Sequence, residues 1–316
     1  MAGHNNHIRN LIISQAGELG FDEVGIAAAG FLENHAQHME KWLENGYQGT
    51  MSYLERNREK RYNPQLLLSG TKSVVTVLQN YYPAEEPQSS DNFRIAKYAY
   101  GKDYHKVIRD KLYLMLKAIE AETGPLEARA FTDSAPVLDR AWAEKCGLGF
   151  IGKNTCLIHP RKGSFFFIGH LFLPLELEEK AESITDYCGT CRRCLDACPT
   201  GALVAPHQLD ATKCISYLTI EYRGELPQAL RDKFSGYVFG CDICQDVCPW
   251  NRFAKPHNEP LFALHAELKA MRSKDWLQLD ENRFNELFRD SAVQRTGYSG
   301  LRRNIDFLAG NNADTP

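Results

Sequence analysis

The sequence predicts a mixed α/β or α+β protein with a metal-cluster segment in its second half, and three observations carry that prediction. Helical and strand-like periodicities alternate over residues 1 to about 175. Eight of the ten cysteines then fall between positions 188 and 248. Finally, the longest apolar run, Phe165 to Leu173, is broken by Gly169 and His170 and is far short of the roughly 20 residues that span a bilayer.

The elements follow in order. Ile8, Leu11, Ile12, Ala16 and Leu19 recur at helical spacing, and Gly20 ends the pattern. Val24 to Ala27 reads as a strand, and Leu32, Ala36, Met39 and Leu43 as a second helix closed by Gly46. Tyr53 to Arg61 is charged at nearly every position and predicts a solvated helix face. Val74 to Leu78 is a β-branched strand, followed by a polar, proline-bearing loop from Tyr81 to Asp91. Ile95 to Tyr100 predicts another strand. Val107, Ile108, Leu112, Met115, Leu116 and Ile119 describe a long helix from Asp103 to Gly124-Pro125. Glu127 to Phe131 is strand-like, and Ser134-Ala-Pro136 opens a helix through Cys146. Thr155–Ile158 and Ser164–Leu173 predict a hairpin around His159–Gly163. Beyond the cysteines, Leu261 to Leu308 reads as helices, and Gly310 to Pro316 as a frayed end.

The chemistry sits in Cys188-Gly-Thr-Cys191-Arg-Arg-Cys194-Leu-Asp-Ala-Cys198-Pro199. This is the C-x2-C-x2-C-x3-C-P run by which two-cluster ferredoxins hold iron–sulfur centres, the fourth thiolate reaching across to the other cluster. Cys241-Asp-Ile-Cys244-Gln-Asp-Val-Cys248-Pro249 repeats the ending, with Cys214 alone between them. The count closes as Cys188, Cys191, Cys194 and Cys248 for one 4Fe-4S cluster, and Cys214, Cys241, Cys244 and Cys198 for the other. A disulfide framework fits poorly, because the cysteines are confined to one region of a long chain without a secretory signal. Zinc knuckles take separate C-x2-C pairs and do not interlock through Cys-Pro endings. Cys146 and Cys156 are expected to be buried apolar thiols.

At 316 residues, 43% hydrophobic and 24% charged, the chain has room for two or three domains. A net charge of −3 excludes nucleic-acid binding by bulk positive charge. There is no Gly-x-Gly-x-x-Gly or Walker A motif, so no dinucleotide or NTP site of the usual kind is indicated. The N-terminus lacks a signal layout, which points to a cytoplasmic protein with no membrane association. Clusters of this kind pass single electrons, so the preceding 175 or so residues are expected to hold the acceptor.

Several segments together resemble the cobalamin-dependent epoxyqueuosine reductases. They are Glu59-Lys-Arg61, Tyr100-Gly-Lys-Asp-Tyr-His105, Thr132-Asp133-Ser, Gly147-Leu-Gly-Phe-Ile-Gly-Lys153-Asn154, Gly163-Ser164, Cys188 to Leu203, Cys214-Ile-Ser216 and Cys241 to Asn251. The resemblance implies an α+β fold in three parts. Residues 1–175 would form a nitroreductase-like cobalamin-binding domain, 176–255 a ferredoxin-like module with two 4Fe-4S clusters, and 256–316 a short helical segment. Longer relatives append helical repeats, so the chain resembles a short form. The implied activity is reduction of epoxyqueuosine, at the first anticodon position of tRNA, to queuosine. An external low-potential donor would feed the clusters, and the chain is expected to act as a monomer.

Carried over residue by residue, the resemblance implies that Asp133 is the catalytic acid and also faces the cofactor. On the residues alone, Asp-Ser before a proline-containing helix start reads as a capping pair. Arg61, Ala96, Lys153, Asn154, Leu157, Ile168 and Ser216 are the other implied cobalamin contacts, Ala96 standing where some relatives carry Cys. Arg192, Arg193, Arg223, Arg302 and Arg303 are candidates for RNA contact. Two other functions compete: a corrinoid-dependent reductase of a small molecule, similar to reductive dehalogenases, and a non-catalytic electron-transfer subunit.

Overall fold

The structure is a computed structural model that describes residues 2–87, 93–177 and 184–310. The far end of the loop expected over Tyr81–Asp91 and the tail after Gly310 lie outside the described residues.

Two strands are buried nearly throughout, on both faces, so they occupy the middle of a sheet. They are Ser73–Asn80 and Phe166–Leu173, paired antiparallel from Ser73↔Leu173 to Asn80↔Phe166. Glu23–Ala28 flanks the first and Arg129–Phe131 the second, closing a four-stranded antiparallel sheet.

Period-2 side chains feed a separate core on each face. On one side Val75, Val77, Phe167 and Leu171 meet the helices Ala2–Glu18 and Tyr104–Thr123 through Ile8, Ile12, Ile108, Leu112 and Met115. Gly169 permits that approach, since a Cβ there would lie 2.6 Å from Ile108 Cγ2. On the other side Val74, Leu78 and Phe172 meet Trp142 of the helix Asp139–Lys145, together with Leu157.

Three local expectations are corrected. The stretch after Ile95 turns into a 3-10 helix, Lys97–Ala99, and only Arg94–Ile95 is strand, paired in parallel with Tyr237–Phe239. The arms of the expected hairpin pair with other strands, and its connector holds a bridge, His159↔Gly163. Leu157–Ile158 pairs instead with Phe150–Ile151, because Phe166–Leu173 is claimed on both edges by the main sheet. The helix expected from Ser134 begins only at Asp139, so Asp133 caps nothing.

The cysteine segment is built of short turns and single-turn helices, covered by helices over 266–309. Helix Gly297–Ala309 packs on Ile215–Ile220 and Tyr237–Phe239, and buried Asn304 ties all three by donating to Thr219 O (2.9 Å) and Val238 O (2.8 Å). Cores cross sequence boundaries: Phe262 joins Val77 and Phe167, while Phe93, Ile95 and Tyr100 pack with Phe284, Leu301 and Ile305. No helix among the described residues is long and apolar enough to cross a membrane.

Candidate active site

Strand Arg129–Phe131 delivers the chain to Asp133, whose φ of 52° is left-handed. For a residue with a Cβ, such backbone costs of order 1–3 kcal/mol and persists where surrounding structure enforces it. Two neighbours enforce it. Tyr104 Oη donates to Asp133 Oδ2 at 2.5 Å, and His105 Nε2 pairs with the same oxygen at 3.6 Å. Both stand in the first turn of Tyr104–Thr123, which the N-cap Asp103 fixes by accepting from His105 N (3.0 Å) and holding His105 Nδ1 (2.7 Å).

The Asp133 side chain is 61% exposed, yet protein surrounds it on most sides. Burial pushes its carboxyl up, but the hydrogen bonds from His105 and Tyr104 outweigh this and hold it below the usual range. For His105, burial acts downward, and Asp103 and Asp133 overcome it, raising the imidazole to about 9. At neutral pH the site therefore holds a carboxylate beside an imidazolium. Burial first, then the Asp133 charge, keeps the Tyr104 phenol protonated as a donor.

A line of contacts runs from this site to the cysteines. Tyr104 meets Tyr98 (6.2 Å between ring centres), and Tyr98 meets Phe239 (5.9 Å). Gly240 precedes Cys241 and faces Ala96 so closely that an added Cβ would lie 2.5 Å from the alanine's own. Cys188, Cys191 and Cys194 gather with Cys248, and Cys198 with Cys214, Cys241 and Cys244. Among the described residues no three candidate ligands close on a single metal ion. A four-iron cage is a larger body than one ion, and two sets of four thiols match it.

Lys153 and Asn154 form a strap across both sets. Lys153 N donates to Cys188 Sγ (3.4 Å) and its ammonium to Cys191 O (3.0 Å), while Asn154 Nδ2 donates to Cys244 O (3.2 Å). Their side chains are thus committed to the cysteine loops. Thr155, next in line, is also left-handed (φ 65°) and is held by Arg140, whose charge Asp133 feels. Cys156 is only partly buried and touches Cys244, so it is not the buried apolar thiol expected; Cys146 is buried, with its thiol pushed up to about 12 by that burial.

These segments correspond to known families. Residues 187–251 match a "4Fe-4S double cluster binding domain", and residues 61–134 match "Epoxyqueuosine reductase QueG, DUF1730". The epoxyqueuosine reductase of Cellulophaga algicola is 51% identical over 299 residues, covering 95% of this chain and 97% of its own. The chain belongs to the epoxyqueuosine reductase family. The Pseudomonas aeruginosa member is 42% identical over 303 residues, covering 94% of this chain and 84% of its own. The crystal structure of an epoxyqueuosine reductase with an epoxyqueuosine-modified tRNA stem loop superposes with a TM-score of 0.89 at 31% identity, covering 97% of this chain and 82% of that one.

Within this family framework the remaining expected contacts divide by exposure. Ile168 and Ser216 keep accessible surface, whereas Ala96 (1% exposed) and Leu157 (4%) present close-packed wall. Arg61 is 8% exposed rather than solvated; it donates to Tyr53 O (3.1 Å), and its Nε is buried without a partner. Thr132 Oγ1 is likewise orphaned beside Asp133.

Three of the arginines expected at RNA are bound elsewhere. Arg302 holds Asp306 and Leu277 O; Arg303 holds the carbonyls of Leu218, Tyr222 and Gly224; Arg223 holds those of Ile220 and Arg295. Sequence reasoning missed Tyr104, His105 and Arg140 as site residues, and the Glu221–Arg295 pair (3.0 Å) that lies within electrostatic reach of Asp133. Tyr104 and His105 stood inside a segment already noted for its resemblance, which was the signal available.

Proposed function

We propose that this chain reduces epoxyqueuosine in tRNA to queuosine, with cobalamin beside Asp133 and two 4Fe-4S clusters supplying electrons singly. The balance is an epoxide plus two electrons and two protons giving an alkene and water. The observation that carries this reading is the strained Asp133, paired with a protonated His105 and joined by a contact line to the cysteine sets.

The residues present fit a corrin. Buried N–H and O–H groups without partners are costly, and Arg61 Nε and Thr132 Oγ1 are two of them, suited to the amide or phosphate oxygens of such a ligand. Arg61 would hold its periphery, Ile168 would offer apolar contact, Ser216 would lie on the cluster side, and the strap Lys153–Asn154 and walls Ala96 and Leu157 would shape the seat. Bound there, cobalamin supplies a low-potential cobalt centre that stores electrons for the epoxide carbon.

His105 keeps a proton on its ring, and Asp133 Oδ2 faces Nε2 across the pair. Substrate seated over Asp133 would displace water from the carboxyl and raise its proton affinity, so it can accept that proton and pass it to the departing oxygen. Tyr104 fixes the carboxylate's orientation throughout. Residues 1–175 would carry this site, 176–255 the clusters and 256–316 the cover. A tRNA substrate places the reaction in the cytoplasm, with the chain acting as a monomer. Anaerobic reconstitution with iron, sulfide and cobalamin, then nucleoside mass spectrometry of epoxyqueuosine-bearing tRNA, should show loss of one oxygen. A reconstituted protein that retains corrin yet leaves the nucleoside unchanged rejects this substrate.

A further inference from the structure

Away from Asp133, an open groove of about 820 Å³ runs beside Cys248, lined by Tyr82, Phe165, Arg193, Asp246, Asn251 and Arg252 among others. We propose that it is the docking site of an acidic single-electron carrier protein that reduces the cluster held by Cys188, Cys191, Cys194 and Cys248. The proposal rests on the redox reading above and names the partner that reading requires.

Four features support it. The Cys188 set is the outer one: Cys188 and Cys194 are much less enclosed than Cys214, Cys241 and Cys244. The groove is also electrostatically unbalanced. Its acids are already paired, Asp196 with Arg192 (3.4 Å) and Asp246 with Lys97 (2.8 Å), whereas Arg193 and Arg252 are exposed and have no ionic partner among the described residues. Aromatic side chains border this cluster. Trp250, directly after Cys248-Pro249, touches Phe253 (6.2 Å) and Tyr187 (6.0 Å), both exposed, and Arg252 lies over the Phe253 ring. Exposed aromatics flanked by arginine are the usual anchors of protein recognition. Lastly, a 4Fe-4S cluster takes one electron at a time, so a hydride donor cannot discharge into it directly.

Each docking oxidises the carrier by one electron and reduces the cluster by one. Two dockings, with two protons, account for one alkene and one water. RNA is the weaker occupant, because Tyr104, His105 and Arg140, the groups around Asp133, do not line the groove.

The test uses the reconstituted holoenzyme with Arg193→Glu or Arg252→Glu, checked first for unchanged iron content and visible absorption. Flavodoxin serves as the acidic carrier, and its oxidised form is titrated by calorimetry at low and high salt. Wild-type affinity should fall as salt rises; each reversal should weaken low-salt binding by roughly tenfold and flatten that dependence, and Arg252→Lys should restore it. Turnover driven by a photoreduced neutral deazaflavin should be the same in wild type, Arg252→Glu and Arg252→Lys. Unchanged flavodoxin binding in both reversals overturns the proposal. So does weakened binding of the tRNA stem loop with carrier binding intact, which would assign the groove to RNA. Failure of the wild type with deazaflavin would instead reject the redox reading itself.

Discussion

The Asp133 site and the Cys248 groove treat charge in opposite ways. Around Asp133 the charges answer one another: His105 with Asp103 and Asp133, Arg295 with Glu221, Arg140 with the Thr155 hydroxyl (3.2 Å). At the groove two guanidiniums are left over. A site that must stabilise a developing charge gains from fixed, preorganised partners. A site that must meet and release a partner gains from uncommitted charge, which speeds encounter without prolonging it.

That contrast can be broken at several points. The largest effect is expected from Asp133→Asn, which keeps the shape but removes the acid: turnover should drop by roughly 10²–10⁴ while iron content and corrin retention persist, and near-normal rates would dismiss Asp133 as the acid. His105→Gln should lower the rate by roughly ten- to a hundredfold. It also sharpens the pH argument. The raised imidazole is protonated below about 9, so wild-type activity should decline as pH rises through that value, and its contribution to stability, full below the ordinary value of 6.5, should be lost between 6.5 and about 9. A variant that kept the alkaline limb would show that another group titrates. Arg61→Gln should weaken corrin retention by roughly tenfold in a gel-filtration assay of the unreduced complex, a charge-assisted contact being about 1.5–3 kcal/mol; undiminished retention would remove Arg61 from the cofactor seat. The smallest effect belongs to Arg302→Gln. With its guanidinium already engaged by Asp306, stem-loop affinity should not change and stability should move by at most about 1 kcal/mol, whereas a large loss of RNA binding would revive its reading as an RNA contact.

Much of the scaffold was legible because its signals are local. Ile8 to Leu19 and Val107 to Ile119 announce their helices by period, and the glycines at 20 and 124 mark their ends with positive φ. The cysteine sets follow from spacing alone. What sequence could not supply was choice of partner. Phe166–Leu173 looked like half of a hairpin, but a mostly apolar run that does not alternate with polar residues is suited to a sheet interior, where two other strands claim it. Asp133 shows a second gap. Locally Asp-Ser resembles a cap, and only the resemblance suggested otherwise; the structure starts the helix six residues later and gives the carboxylate to Tyr104 and His105. Arg61 hid for the opposite reason, one buried cation among exposed ones. Lys153 and Asn154 were singled out as cofactor contacts, and their side chains reach the cysteine loops.

The grip of Lys153 and Asn154 on both loops has a bearing on maturation. Two adjacent residues cannot be ordered for one cage and disordered for the other, so loading of the first cage readies the polypeptide for the second. Titration of the apoprotein with iron and sulfide should pass from empty to doubly filled with few half-filled molecules, as native mass spectrometry can count. Lys153→Ala should let the half-filled species accumulate; an unchanged distribution would mean that the cages mature independently.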